Sequence, residues 1–207
     1  MDNNQISYEE IDREIEARAA SKKQRLPHDI FDFSELILIV VAVLLLLSTF
    51  LVRQTVVVGG SMTPTLKHGE RLLISNLLYT PKAGDIVVLQ VEEEIADLYP
   101  KSLYKHEPII KRVIATEGQT VSIVSGTVYI DGQPLDEEYK RIPGPGDRAD
   151  EYANMSPITV SEGHLFVMGD NRNNSIDSRW FGEVDERTVV GKVILRFYPF
   201  SSFGGVR

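Results

Sequence analysis

The sequence predicts a mainly β domain of the barrel or sandwich kind, placed after a single N-terminal transmembrane helix. Three observations predict it. The stretch from Leu36 to Val52 carries no charge. Beyond it come many short segments rich in Val and Ile, separated by turn signals. No long amphipathic pattern follows them. The chain has 207 residues, 43% hydrophobic and 25% charged, which suits one ordinary domain plus an anchoring segment.

Residues 1–32 read as a cytoplasmic tail with helical potential. Ile11, Ile15 and Ala19 recur at helical spacing, and Ser7 with Glu10 fits a capping box. Acids (Glu9, Glu10, Asp12, Glu14) precede bases (Arg18, Lys22, Lys23), as the helix dipole favours. The apolar stripe is thin, so the helix is marginal. Residues 33–53 read as the anchor: LILIVVAVLLLLSTFLV lies between Glu35 and Arg53, and Phe33 and Ser34 extend it. A buried soluble helix would show a polar face, and this run has none. A cleaved signal peptide would need small residues at a cleavage site, and Val52-Arg53-Gln54 offers no such pattern. The basic cluster Arg18, Lys22, Lys23 and Arg25 outweighs Arg53 and Lys67. By the positive-inside rule the N-terminus then stays cytoplasmic, and residues 54–207 form an extracytoplasmic domain on the plasma membrane.

In that domain the expected strands are Thr55–Val58, Arg71–Ser75, Asp85–Val91, Ile109–Ala115, Thr120–Val124, Thr127–Ile130, His164–Met168 and Val189–Tyr198. The clearest hairpin runs from Val121 to Ile130 around Ser125-Gly126. Residues 132–157 break the pattern with Pro143, Gly144, Pro145 and Gly146, and read as a surface loop or ribbon.

Composition excludes several kinds of chemistry. The net charge of −8, with no basic stripe on the folded part, argues against nucleic acid. Without cysteine there is no disulfide, thiolate metal site or thiol nucleophile. His28, His68, His106 and His164 lie far apart and form no metal motif. Neither a metal nor a cofactor is expected, so hydrolytic chemistry would fall to hydroxyls, carboxylates or lysines.

Three segments stand out. Gly59-Gly60-Ser61-Met62-Thr63-Pro64-Thr65-Leu66 follows the first strand, and its glycines permit close substrate approach. Ile109-Ile110-Lys111-Arg112-Val113-Ile114-Ala115 sets a lysine within an apolar strand. Alternation puts Ile110, Arg112 and Ile114 on one face and Lys111, Val113 and Ala115 on the other, so one of the two cations must face apolar neighbours. A desolvated lysine loses proton affinity and can act as a neutral base. Finally, Gly169-Asp170-Asn171-Arg172-Asn173-Asn174-Ser175-Ile176-Asp177-Ser178-Arg179 leaves an apolar strand dense in short hydrogen-bonding groups.

Together these segments resemble the successive boxes of type I (leader) signal peptidases in their Gram-positive-like short form. Lys82-Ala83-Gly84-Asp85-Ile86-Val87-Val88 matches a further box. The resemblance implies a membrane-bound serine endopeptidase that removes N-terminal signal peptides from exported preproteins through an acyl-enzyme. It implies Ser61 as nucleophile and Lys111 as general base. Ser175 would orient Lys111, Asp177 and Arg179 would brace the site through a salt bridge, and Asp170 and Arg112 would support it. Val57, Leu66, Leu72 and Ile110 would wall shallow pockets for small residues at substrate positions −1 and −3. The Ser61 backbone N–H is a candidate oxyanion donor; where some relatives carry a hydroxyl two residues earlier, this chain has Gly59. Implied partners are preproteins, the lipid bilayer and the secretion translocon. Two other readings are a self-cleaving repressor-type peptidase, which would lack the apolar run, and a non-catalytic anchored β-domain, which would not need Ser61, Lys111 and Ser175 together.

Overall fold

A computed structural model describes residues 8–90, 108–139 and 154–206, with the side chains of 20–32 and 46–51 outside that description. The chain divides into two units, Met1–Phe50 and Leu51–Arg207. In the first, α1 spans Tyr8–Leu51 as one helix of 44 residues with Glu9 and Glu10 in its first turn. The expected tail and anchor are thus consecutive parts of one helix, and Ser7 lies outside the described residues. Among the described residues no helix is long and apolar enough to cross a membrane. The reason is extent. The described apolar side chains cover 33–45, short of the ~20 residues a bilayer core requires. The remainder of the expected span, 46–51, falls outside the described side chains. From Leu36 to Leu45 the large apolar side chains are all exposed, between 46% and 70%.

The second unit holds two antiparallel sheets. The larger takes β1 (Arg53–Val56), β2 (Arg71–Ser75), β3 (Ile86–Leu89), β4 (Ile109–Thr116), β9 (His164–Met168), β10 (Val184–Asp185) and β11 (Val189–Tyr198). Their order across the sheet is β1-β2-β11-β3-β4-β9-β10. The smaller sheet, ordered β7-β6-β5-β8, takes β5 (Thr120–Val124), β6 (Thr127–Ile130), β7 (Gln133–Pro134) and β8 (Met155–Thr159). A single helical turn, α2 (Ser178–Phe181), follows β9.

All eight expected strands are present, five with the expected ends and three (β1, β3 and β4) with shifted ones. The third loses Asp85 because its N–H turns back to the Lys82 carbonyl at 3.0 Å. The hairpin β5–β6 pairs Val124 with Thr127 across Ser125 (φ 49) and Gly126 (φ 76). Two positive φ values in a two-residue loop match the twist of the flanking strands. Strands β7, β8 and β10 were not expected. The first two occupy the ends of the 132–157 stretch, which begins and finishes as ribbon, while 140–153 lies outside the described residues. Pro157 is compatible with β8 because β8 ends its sheet and needs no second ladder.

Strand β4 lies between β3 and β9, and seven of its eight residues are buried. Both faces of this strand are therefore covered. Below the Ser61 loop, Val57, Met62, Leu66, Leu72, Ile74, Ile86, Val88, Ile110 and Val193 form one apolar cluster.

Candidate active site

The glycine-rich loop leaves β1 and turns immediately. Gly59 adopts φ 84, a conformation costly for a residue with a Cβ. Leu66 N–H bonds back to the Met62 carbonyl at 2.9 Å, and Met62 and Leu66 bury their side chains in the cluster beneath. Ser61 is left partly exposed on top. The loop is therefore held from below by apolar anchors while its serine faces outward.

Lys111 and Arg112 are both buried, at 1% and 2% exposure. Alternation required one of them to face apolar neighbours, and in β4 both are enclosed. Lys111 pairs across the ladder with Val87, and Arg112 with Ile86 and Met168. The two cations are accommodated differently. Arg112 grips Asp170 with two parallel bonds, Nε to Oδ1 at 2.8 Å and Nη2 to Oδ2 at 2.7 Å. Its Nη1 donates to the Gly84 carbonyl at 2.8 Å, and its guanidinium carbon sits 3.8 Å from the Tyr139 ring centroid. Arg112 is thus paired, hydrogen-bonded and stacked at once. Asp170 also accepts from Thr65 Oγ1 at 2.5 Å, tying the polar loop after β9 to the serine loop.

Among the described residues no carboxylate forms an ion pair with Lys111. Its Nζ donates to Ser175 Oγ at 2.9 Å. Burial pushes its pKa down to about 8, with Asp177 opposing the shift and Arg179 assisting it. Asp177 is occupied elsewhere. Its Oδ1 accepts Arg179 Nε at 2.8 Å, and its Oδ2 accepts Arg179 Nη2 at 2.9 Å and Gly169 N–H at 3.0 Å. Burial pushes the Asp177 carboxyl up, but Arg179, Lys111 and the Gly169 N–H outweigh it and hold it below the usual range. Because the Asp177 charge is spent on Arg179, it does not lock a proton onto Lys111. A neutral amine in a buried site is the form a general base requires.

The serine loop and the lysine meet around Gly169. A Cβ at residue 169 would stand 2.3 Å from Ser175 Oγ and 2.6 Å from the Ser61 carbonyl oxygen. Ser175, which bonds Lys111, and the Ser61 loop thus both approach this one glycine. All seven polar residues singled out in the sequence thus fall in one connected set. The four pocket residues join the cluster beneath the loop, each at most 8% exposed, and so form its floor.

Glu137 and Tyr139 were not expected at the site. Glu137 forms a buried ion pair with Arg172, whose Nε also donates to the Gly169 carbonyl at 3.0 Å. Both residues lie in the proline- and charge-rich excursion, where no periodicity signals a buried role.

Comparison with known proteins shows the family. The family model described as "Signal peptidase, peptidase S26" matches residues 30–198. The chain belongs to that family. It is 38% identical to a probable signal peptidase I-1 of Synechocystis over 172 residues, covering 82% of this chain and 83% of that protein. It is 36% identical to signal peptidase I P of Bacillus subtilis subsp. natto over 186 residues, covering 86% and 94%. A solved signal peptidase I from Enterococcus faecalis aligns with TM-score 0.43 and 29% identity, covering 55% of this chain and 97% of that one. The chain is a serine peptidase, a hydrolase, and as a member of the signal peptidase family it removes signal peptides.

Proposed function

We propose that signal peptide removal here runs through a Ser61–Lys111 dyad. The observation that carries this reading is the Lys111 amine, buried, bonded to Ser175 and in no ion pair among the described residues. Neutral Lys111 takes the Ser61 proton as Oγ adds to the scissile carbonyl, whose π electrons move onto oxygen. Collapse of that adduct expels the amine of the mature protein, which receives the proton from Lys111, and leaves an acyl-enzyme. Water, deprotonated by the same lysine, then releases the signal peptide. The rival binding-domain reading gives no reason to bury an amine here and bond it to Ser175.

Substrates of this site are exported preproteins with small residues at positions −1 and −3. The floor of Val57, Leu66, Leu72 and Ile110 supports this, since a close-packed apolar floor excludes bulky side chains. We place the enzyme on the plasma membrane, anchored by 33–53 with its N-terminus cytoplasmic and beside the translocon. The uncharged run Leu36–Val52 and the exposure of its described side chains support that topology.

The pH dependence tests the base. With a pKa of about 8, roughly a quarter of Lys111 is neutral at pH 7.5, against about one molecule in a thousand for an ordinary lysine. Accordingly kcat/KM is expected to rise through about pH 8 and then level. Stability follows with a defined sign: the unfolded chain holds the lysine proton more tightly, so the Lys111 contribution increases between about pH 8 and 10.5. A rate profile set by a carboxylate, with no limb near pH 8, contradicts the assignment.

Ser175 is assigned to orientation. A lysine stem is flexible, and one hydrogen bond, about 1 kcal/mol net, selects its productive pose. Misplacing the amine by about 1 Å costs roughly a hundredfold in rate. Ser175→Ala is therefore expected to slow single-turnover peptide cleavage by about 10- to 100-fold with turnover still measurable. A wild-type rate reduces Ser175 to a loop residue.

A further inference from the structure

Asn171 grips the Ser61 loop on both sides of the Ser61 Cα. Its side-chain N–H donates to the Gly60 carbonyl at 3.0 Å, and its main-chain N–H donates to the Ser61 carbonyl at 2.9 Å. Thr63 N–H adds a second bond to the Gly60 carbonyl at 3.2 Å. Asn171 itself is rigidly mounted. It is 6% exposed and stands between Asp170, paired with Arg112, and Arg172, paired with Glu137.

This grip has a directional effect. In a trans peptide the C=O and N–H point to opposite sides of one plane. Fixing the Gly60 carbonyl therefore fixes the Ser61 N–H, which points away from Asn171. That N–H donates to no protein group among the described residues, and Ser61 is partly open to solvent. A buried clamp on one edge of a peptide with an unengaged donor on the other suits an anion that arrives from outside. Such preorganised donors act where charge develops in the transition state.

We infer that Asn171 is a positioning residue that aims the Ser61 N–H at the oxyanion of the tetrahedral intermediate. The inference rests on the reading of Ser61 as nucleophile. The Gly60 carbonyl is held by a side chain as well as by the loop, so the donor direction depends on one replaceable amide.

The test uses the full chain in vesicles and the variants Asn171→Asp and Asn171→Ala at equal folded concentration. Aspartate keeps the shape and the main-chain bond but turns an oxygen toward the Gly60 carbonyl. Both variants are expected to lose about 10- to 100-fold in kcat, with KM for a preprotein peptide and the limb near pH 8 unchanged. Affinity for a peptide boronic acid, which forms a tetrahedral adduct with the serine, should fall in the same ratio as kcat/KM. An unchanged kcat, a displaced pH limb, or a rate loss without loss of boronate affinity each overturns the inference. If both variants fail to fold, the wild-type boronate adduct decides by NMR: the Ser61 amide proton must move downfield, and its failure to move overturns the assignment. Ser61→Ala is assayed in parallel. Cleavage by Ser61→Ala defeats the dyad itself, whereas an inactive Ser61→Ala beside a normal Asn171→Asp defeats the inference alone.

Discussion

Alanine at Ser61 or at Lys111 is expected to abolish preprotein cleavage while the domain stays folded. Nucleophile and base act as one unit, so losing either removes most of the catalysis, roughly 10⁴- to 10⁶-fold in kcat. The two substitutions differ in structural cost. Ser61 is partly exposed on its loop, so Ser61→Ala leaves packing almost intact. Lys111 is 1% exposed, and truncation to alanine opens a cavity. Lys111→Met keeps the stem and removes only the amine, making it the cleaner probe. It should also erase the rise in stability between about pH 8 and 10.5 that the lowered lysine pKa produces. Cleavage by purified Lys111→Met near the wild-type rate would falsify the lysine assignment, whatever Ser61→Ala does.

The second large effect is expected at Gly169. A methyl group there would stand 2.3 Å from Ser175 Oγ, 2.7 Å from Ser175 Cβ and 2.6 Å from the Ser61 carbonyl oxygen. Ser175 could swing away, losing its bond to Lys111. The Ser61 carbonyl is backbone, held by Asn171 N–H at 2.9 Å, and can give way only by moving the loop. Gly169→Ala should therefore cost about 1–3 kcal/mol of stability through overpacking. It should also displace both catalytic groups at once, lowering cleavage by at least about a hundredfold. Combining it with Ser175→Gly relieves one contact and leaves the other, so the double variant should remain impaired. Gly169→Ala cleaving at the wild-type rate would show that the loop yields freely and that the site is not held rigidly here.

The strands were legible because β-branched residues between turn signals have few other stable options. Val121–Ile130 showed its hairpin through Ser125-Gly126, and the structure places both at positive φ. The fate of Lys111 and Arg112 was only half legible. Alternation separates their faces, but it cannot show that β3 and β9 cover both of them. The polar loop after β9 was visible as a hydrogen-bonding cluster, whereas its individual bonds depend on long-range partners such as Thr65 and Gly60. Glu137 and Tyr139 were hidden, since a carboxylate and a phenol within a charged, proline-rich stretch look solvated. Their burial follows from Arg172 and Arg112, which needed counterparts once inside.

Strand β11 carries a consequence for the order in which this enzyme is made. It pairs with β2 on one side and β3 on the other, and among the described residues no ladder joins β1–β2 directly to β3–β4. In chain order β11 follows Ser61, Lys111 and the polar loop. A nascent chain already holding every proposed catalytic group still lacks the strand that sets its serine hairpin beside its lysine hairpin. The seven-stranded sheet is therefore joined across its middle only by a strand that follows every proposed catalytic group in chain order.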